Sequence, residues 1–474
     1  MSKFVADLHL HSAYARATSK DLNFDTISAW AKWKGIQLLS SADFTHPVWW
    51  EETKNKLKES KYDGFYHHDR VARSASPAER EAIYFVLGSE ISSIYSQGGR
   101  VRRTHCLLYF PEMSDVDKFN SLLGKRANLR ADGRPIVGLS AKQLLELALS
   151  VNEKVIFIPA HAWTPWFSLY GSNSGFDSID ECFGDLSKYI YAIETGLSSD
   201  PAMNWRIKEL DNRSVVSFSD AHSAPKMGRE ATIFEADFSY EGVLEALKTP
   251  AGPVSSVSQT PQSVSGLTEI PSSLGPSSLP PADRNPRVAF TVEFFPEEGK
   301  YHFTGHRNCN VRHSPIETAK EGIICPQCKK KLTIGVMHRV EQLADKSRSE
   351  GFKPEDRPDF KSLVPLLEIL AESLKTNTYS ERVSNDYKKL IDHFGSELTI
   401  LLKAPIDELE NVGGERTAEG IRKVRTGDIV IEPGFDGVYG VVRIWPTSLS
   451  GRVEQKQIRI PVQKQANGQT GLFD

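Results

Sequence analysis

Short apolar runs alternate with amphipathic stretches over the first half of the chain. The runs at 4–11, 36–43, 83–90, 154–161, 190–194 and 215–220 have the pattern of strands buried on both faces. Between them, 25–34 and 141–151 repeat apolar residues at helical spacing, the first closed by Gly35. This alternation over residues 1–248 predicts an α/β fold, a (β/α) barrel in preference to a doubly wound open sheet. The pattern fails at 249–285, which is dominated by Pro, Ser and Gly, lacks aromatics and reads as a linker or surface insertion. Beyond it, 288–295 reads as a strand, 360–374 and 384–394 as amphipathic helices, and 429–445 as strand alternation. The expected divisions are therefore 1–248, the linker 249–285, a module at 286–340, a mostly helical region at 341–462 and a flexible tail at 463–474.

Composition narrows the class. Of 474 residues, 39% are hydrophobic and 25% charged, which is ordinary for soluble globular protein. Lys plus Arg (58) nearly balance Asp plus Glu (61), so a net charge of −3 excludes a polybasic tail protein but not a local basic groove. No stretch approaches the ~18 apolar residues of a membrane span. The first residues show no secretory signal pattern. Cys106, Cys182, Cys309, Cys325 and Cys328 are odd in number and clustered, which suits metal binding better than disulfides. A cytoplasmic enzyme with no membrane partner is expected.

Polar residues gather where the apolar runs end: Asp7, His9 and His11, then Asp43, Glu90, His161, Glu194, and finally Asp220 with His222. Residues two apart on a strand share a side, so His9 with His11, and Asp220 with His222, can each converge on one ion. Catalytic groups of (β/α) barrels come from the carboxyl ends of several strands. His105 opens an apolar run instead of closing one and joins the set less directly. Imidazole with carboxylate suits Zn, Mn or Fe, and two or three such ions can clamp a phosphodiester and acidify water. The stretches DLHLHS, the Glu at 90, PAH at 159–161 and SDAH at 219–222 resemble the four motifs of the PHP phosphoesterases. That resemblance implies a distorted (β/α) barrel with two or three divalent metals (Zn, Mn, Mg or Fe). Many members carry Asp-His after the second strand. Here Asp43 is followed by Phe44, which leaves Asp43 as the candidate ligand and His46 as a weaker substitute.

The second half carries a different metal signature. His306-x-x-Cys309 and Cys325-x-x-Cys328 have zinc-ribbon spacing, expected to hold one structural zinc, with His302 and His313 as competitors for the histidine position. Lys329, Lys330, Lys331, Arg307 and Arg312 would give the module a positive surface suited to a phosphate backbone. Farther on, Pro405, Leu409, Gly413, Gly414 and Ile421 have the spacing of a helix–hairpin–helix, whose glycines let backbone N–H groups reach DNA. The stretch 429–445 is similar to a C-terminal segment of UvrD-type helicases, but no G-x-x-x-x-G-K-[ST] supports a P-loop motor. At the end, Gln469, Leu472 and Phe473 resemble the sliding-clamp peptide Q-x-x-L-F.

Together, the barrel motifs, GHxxC…CPxC and the helix–hairpin–helix-like segment resemble the endonuclease Q family in its bacterial type. HSAYARATSK, AIETGLSSDPAMNWR, SDAHSAPKMGREAT and VEFFPEEGKYHFTGHRNC carry the likeness. The resemblance implies a nucleoid-associated DNA repair enzyme. It would nick double- or single-stranded DNA 5′ of deaminated bases (uracil, hypoxanthine, xanthine) and abasic sites, by metal-activated water with the lesion flipped out. His9, His11, Asp43, Glu90, His105, His161, Asp220 and His222 would hold the metals, and Asp220 and Glu194 would take part in catalysis. Arg16 and Lys20 would neutralise phosphate near the reaction, Lys226 and Arg229 along the DNA. A PHP-type small-molecule phosphomonoesterase or another PHP nuclease is the alternative activity, and a non-catalytic DNA-binding scaffold is a third reading.

Overall fold

The computed structural model describes residues 1–68, 83–249 and 285–446. The expected linker lies almost wholly outside the described residues, as do the tail and its Gln469, Leu472 and Phe473. Among the described residues no helix is long and apolar enough to cross a membrane.

A distorted (β/α) barrel forms the first half. Strand Ser2–Asp7 pairs in parallel with Leu38–Ser40, which pairs in parallel with Tyr84–Gln97. That long strand then folds back antiparallel on Arg100–Phe110, which in turn pairs antiparallel with Ile156–Pro159. Ala192–Glu194 and Ser214–Val216 form a parallel pair. The ring continues where Ala162 N–H donates to Glu194 O (2.9 Å), and closes where His11 N–H and Ala221 N–H bond to Ala221 O and His9 O (3.3 Å each). The hairpin accounts for the distortion: one strand runs against its neighbours where a βα unit would otherwise stand. His105 consequently lies mid-strand, opposite Ser92, and not at the start of a strand as its sequence context suggested.

Both faces of these strands are buried, as the uninterrupted apolar runs require. Phe4, Ala6, Ile156 and Ile158 join one apolar cluster, while Val5 and Phe157 join another, the period-two division of a strand. Helix Phe24–Lys34 follows the expected span, with Asn23 accepting from Thr26 N–H at its start. Helix Ala141–Val151 begins in a capping box between Ser140 and Gln143.

The sheet does not stop at the compositional break. Ala231–Ala236 pairs antiparallel with the outer edge of Ser2–Asp7, and Arg287–Glu293 adds antiparallel to it. Asp359–Ser362 then adds in parallel. Residues on both sides of the Pro/Ser-rich stretch thus belong to one sheet. The helix expected over 360–374 is corrected by this pairing. Its first residues fill the open edge of Arg287–Glu293, and the helix starts only after Pro365, as Leu366–Ser373. Helices Glu381–Phe394, Glu397–Leu402, Ile406–Gly413 and Glu415–Thr426 follow, and then the short pair Val430–Glu432 and Val441–Arg443.

One buried ion pair ties the helical region to the barrel. Lys34, in the last turn of helix Phe24–Lys34, lies 2.7 Å from Glu397, with side chains 1% and 4% exposed. Glu397 also accepts from Leu366 N–H (3.1 Å) and the Tyr387 hydroxyl (2.8 Å). Removing one partner of such a pair strands a buried charge. Lys34→Ala should therefore lower unfolding stability by about 3–5 kcal/mol, measured by urea denaturation, whereas an exposed pair such as Lys142–Asp185 should matter far less.

Candidate metal centre

Some candidate ligands lie just past strand ends on strained backbone, whereas Glu90, expected to close its strand, and His105 lie within the paired strands Tyr84–Gln97 and Arg100–Phe110. Asp43, His161 and Asp220 all adopt left-handed φ values of 39°, 30° and 46°. Non-glycine residues hold such angles only where their surroundings over-determine them, and such residues concentrate at functional sites.

Two groups of ligand atoms result, and Glu90 belongs to both. His9, His11, Glu90 and Asp220 form one, Glu90, His105 and His161 the other, with ligand atoms in each lying within 4.8 Å of one another. Glu90 Oε2 is 3.4 Å from His9 Nε2 and 3.3 Å from His11 Nε2. Its Oε1 is 2.6 Å from His105 Nδ1 and 3.2 Å from His161 Nε2. Asp220 Oδ1 closes the first group at 3.1 Å from His11 Nε2. His9 Nε2 is buried without a hydrogen-bond partner among the described residues. An orphaned imidazole nitrogen amid carboxylates fits a divalent cation, and the N/O donor set suits Zn, Mn or Fe.

The electrostatics point the same way. Burial opposes charging His9, yet Glu194, Asp220 and Glu90 hold its pKa well above the ordinary value. His11 is likewise held up against burial by Asp220, Asp43 and Glu90. A surplus of buried carboxylate therefore draws protons onto imidazoles, as it would draw cations. His105, pushed down to about 4 by burial, stays neutral at pH 7 and presents a ligand lone pair.

The remaining candidates surround these groups. Glu194 accepts from His9 Nδ1 (2.9 Å) and His161 N–H (2.7 Å), the carboxylate–imidazole support that orients a metal-ligating histidine. Asp43 lies behind His11, 3.3 Å from Nδ1, and accepts from Ser12 N–H and Oγ (2.6 Å each). His222 packs its ring 4.6 Å from His11 and bonds through Nδ1 to Asp220 O (2.9 Å), outside both groups. His46 caps helix Pro47–Lys56 and stacks on Tyr14.

The basic candidates divide differently. Arg16 and Lys20 are exposed on a loop tied to the site, where Ser19 N–H donates to His222 O (2.8 Å). Lys226 pairs with Glu368 at 2.8 Å. Arg229 donates to Ser219 O (2.9 Å) and Asp220 O (3.2 Å), so it braces the loop that carries Asp220. Among the described residues, Arg134 enters the cluster, 3.0 Å from Glu90 Oε2. It stands in a loop with no periodicity or motif, and only its D-G-R-P turn chemistry was available as a signal.

In the second half, His306, Cys309, Cys325 and Cys328 converge into a third group. Cys328 Sγ lies 3.2 Å from His306 Nδ1. Although burial works against it, backbone N–H groups and His306 draw the Cys325 thiol down to about 6, toward the thiolate a metal needs. Among the competitors, His302 is buried and His313 pairs with Glu321 at 3.3 Å. Gly413 ends helix Ile406–Gly413, and Gly414, at φ 84° with open space around its Cα, turns into Glu415–Thr426.

Comparison with known proteins shows what the chain is similar to. The model of the MJ0043 C-terminal domain matches residues 365–428, which contain this helical hairpin. The chain is 29% identical over 288 residues to the uncharacterized protein MJ0043 of Methanocaldococcus jannaschii, covering 60% of this chain but only 32% of that longer protein. It is 28% identical over 462 residues to the uncharacterized protein YqxK of Bacillus subtilis, covering 94% of this chain and all of YqxK. The crystal structure of PfuEndoQ, a lesion-specific endonuclease from Pyrococcus furiosus, matches with a TM-score of 0.73 at 29% identity, over 93% of this chain and 95% of that one. A crystal structure of endonuclease Q with a 27-mer duplex carrying an abasic lesion at its active site matches with a TM-score of 0.74 at 29% identity, over 95% and 99%. Over nearly its whole length the chain is thus similar to the endonuclease Q structures. Its endonuclease Q fold runs from the barrel through the cysteine group to the C-terminal helices.

Beneath the metal groups lies a second buried acidic pair. Glu293 Oε2 accepts from Ser217 Oγ (2.7 Å) and Thr195 Oγ1 (3.1 Å). Glu293 Oε1 and Glu230 Oε2 are buried with no hydrogen-bond partner among the described residues. Burial raises Glu293 to about 8, and burial with the Glu293 charge raises Glu230 well above the ordinary range.

Two expectations follow. Glu194→Gln should weaken metal affinity by about 10–100-fold, read by competition with a chelating dye, because His9 loses its orienting charge. Glu293 binds its proton more tightly folded than unfolded. Its contribution to stability is thus complete at low pH and falls as pH rises from about 4.5 to about 8. Glu293→Gln keeps an acceptor for Ser217 and Thr195 and should flatten that fall in urea titrations between these limits; an unchanged slope would contradict the assignment.

Proposed function

We propose that the chain is a metal-dependent DNA repair endonuclease that hydrolyses the phosphodiester 5′ of deaminated bases and abasic sites. The observation that carries this reading is Glu90, one buried carboxylate shared by two ligand groups at the barrel mouth. A carboxylate so placed suits a pair of ions acting on one phosphate. The structural likeness suggests the polymer, since a similar protein has been crystallised with a lesion-bearing duplex.

In this reading His9, His11, Glu90 and Asp220 hold one ion, and Glu90, His105 and His161 another. Asp43 and His222 border the first group and can complete it. When bound, divalent ions supply Lewis acidity toward the phosphodiester and lower the pKa of water. Glu194 and Asp43 fix the ring orientations of His9 and His11, which limits each imidazole to one ligand nitrogen. Exposed Lys329, Lys330, Lys331, Arg307 and Arg312 beside the cysteine group suit the duplex backbone and predict a steep salt dependence of binding. A lesion weakens pairing and stacking, so extrusion of the damaged nucleotide toward the barrel mouth costs less than extrusion of a normal one. The cysteine group suits one structural zinc. Gln469, Leu472 and Phe473 are proposed to dock on a sliding clamp, which would place the enzyme on the nucleoid.

The test is a nicking assay on labelled duplexes with one hypoxanthine, uracil, abasic site or no lesion, in Mg²⁺ or Mn²⁺ with an EDTA control. A lesion-dependent, EDTA-sensitive cut 5′ of the damaged nucleotide is expected. Asp220→Ala should abolish it while largely preserving duplex affinity; retained nicking would overturn the ligand assignment. Turnover of a generic phosphomonoester without DNA cleavage would favour the small-molecule phosphatase instead.

A further inference from the structure

One cation reaches the metal groups from outside the barrel strands. Residues 131–135 lie between helix Met113–Leu123 and strand Ile136–Val137, and they are clamped along their length. Gly133 N–H donates to Tyr14 O (3.0 Å), and Thr45 Oγ1 donates to Gly133 O (3.2 Å). Asp132 Oδ1 accepts from the N–H groups of Arg16 (3.0 Å) and Arg134 (3.1 Å), and Ser92 N–H donates to Pro135 O (3.0 Å). A Cβ on Gly133 would sit 2.4 Å from Asp43 Oδ2 and 2.9 Å from Ala15 N, so only glycine lets the loop approach this closely. The segment is therefore locked onto the two loops that carry His11 and Asp43, and Arg134 is held in place with it.

Arg134 Nη1 donates to Glu90 Oε2 at 3.0 Å. Glu90 is fully buried, while the Arg134 side chain is 23% exposed. A guanidinium has five N–H donors, and the hydrogen bond that this side chain makes among the described residues is the one to Glu90. Arg134 helps to neutralise Glu90, but ions held by Glu90 would make that contribution redundant, so neutralisation alone does not account for such placement. A guanidinium fixed beside bound cations is electrostatically costly unless an anion enters the same mouth. Phosphate, like carboxylate, has oxygens that match a guanidinium fork, and phosphate is the anion that a DNA substrate brings to this mouth.

We infer that Arg134 uses its remaining donors to bind a non-bridging oxygen of the phosphate to be cleaved, while its bond to Glu90 fixes the fork. This rests on the DNA endonuclease reading and adds a substrate-binding residue to it. The experiment compares the full-length protein with Arg134→Gln and Arg134→Lys in fluorescence anisotropy. The probes are two duplexes with one abasic site, carrying either the native phosphate or an uncharged methylphosphonate immediately 5′ of the lesion, in Ca²⁺ with cleavage checked on gels. Bound metal is measured for each variant.

With metal content unchanged, Arg134→Gln should bind the native duplex about tenfold more weakly than wild type, the loss of one charge-assisted hydrogen bond. On the methylphosphonate duplex the two should bind equally. Arg134→Lys should recover only part of the native affinity, since an ammonium keeps charge without the fork. Equal weakening on both duplexes would overturn the inference and assign Arg134 to holding Glu90 alone; no weakening on either would also overturn it. If wild type neither nicks a lesion duplex nor binds it better than an undamaged one, the endonuclease reading itself fails, and Arg134 falls with it.

Discussion

Burying Glu90 at the centre of the barrel mouth is the constraint on which the surrounding structure depends. A carboxylate with no exposed surface is costly unless positive charge or hydrogen-bond donors meet it. Here both oxygens are met: Oε1 by His105 and His161, Oε2 by His9, His11 and Arg134. Burial alone would raise Glu90, yet His105, Arg134 and His9 hold it well below the ordinary range. Five cationic or ligating groups around one carboxylate describe a place that stabilises concentrated positive charge, whether protons or metal ions supply it.

That arrangement needs groups from distant parts of the chain to meet within a few ångströms. The strand ends provide it at the expense of backbone strain, with three non-glycine residues in left-handed conformations at the turns that aim Asp43, His161 and Asp220. The surrounding hydrogen bonds hold these turns. Arg229 braces the carbonyls beside Asp220, Asp7 accepts from Ser219 and Gly228 N–H (2.9 Å each), and Glu194 fastens the backbone at His161. The buried Glu230 and Glu293 extend this polar floor, and Glu293 belongs to the strand that leads into the cysteine group. The metal centre and the second half are thus joined through one sheet and not through a hinge. The Lys34–Glu397 pair repeats the connection on the helical side.

Much of the site was legible because ligation uses the local geometry of strands. H-x-H at 9–11 and the carboxylates closing apolar runs follow from period-two side-chain direction, and His306-x-x-Cys309 with Cys325-x-x-Cys328 from knuckle spacing. The helices Phe24–Lys34 and Ala141–Val151 were legible for the same reason, since caps and 3.6-residue periodicity are written in neighbouring residues. The strand Asp359–Ser362 was not. Its amphipathic pattern allowed a helix, and only the free edge of Arg287–Glu293 made it a strand.

The sequence by itself determined the ligand types, their placement at the ends of apolar runs and the class of fold, because each depends on residues a few positions apart. Only the tertiary structure decided which groups meet. It put Glu90 in both ligand groups, set Glu194 and Asp43 behind histidines, spent Lys226 and Arg229 on protein partners and brought Arg134 in from a loop. Each of these contacts joins residues with no local pattern in common, and each is set by the closure of the strand ring and the burial that closure imposes.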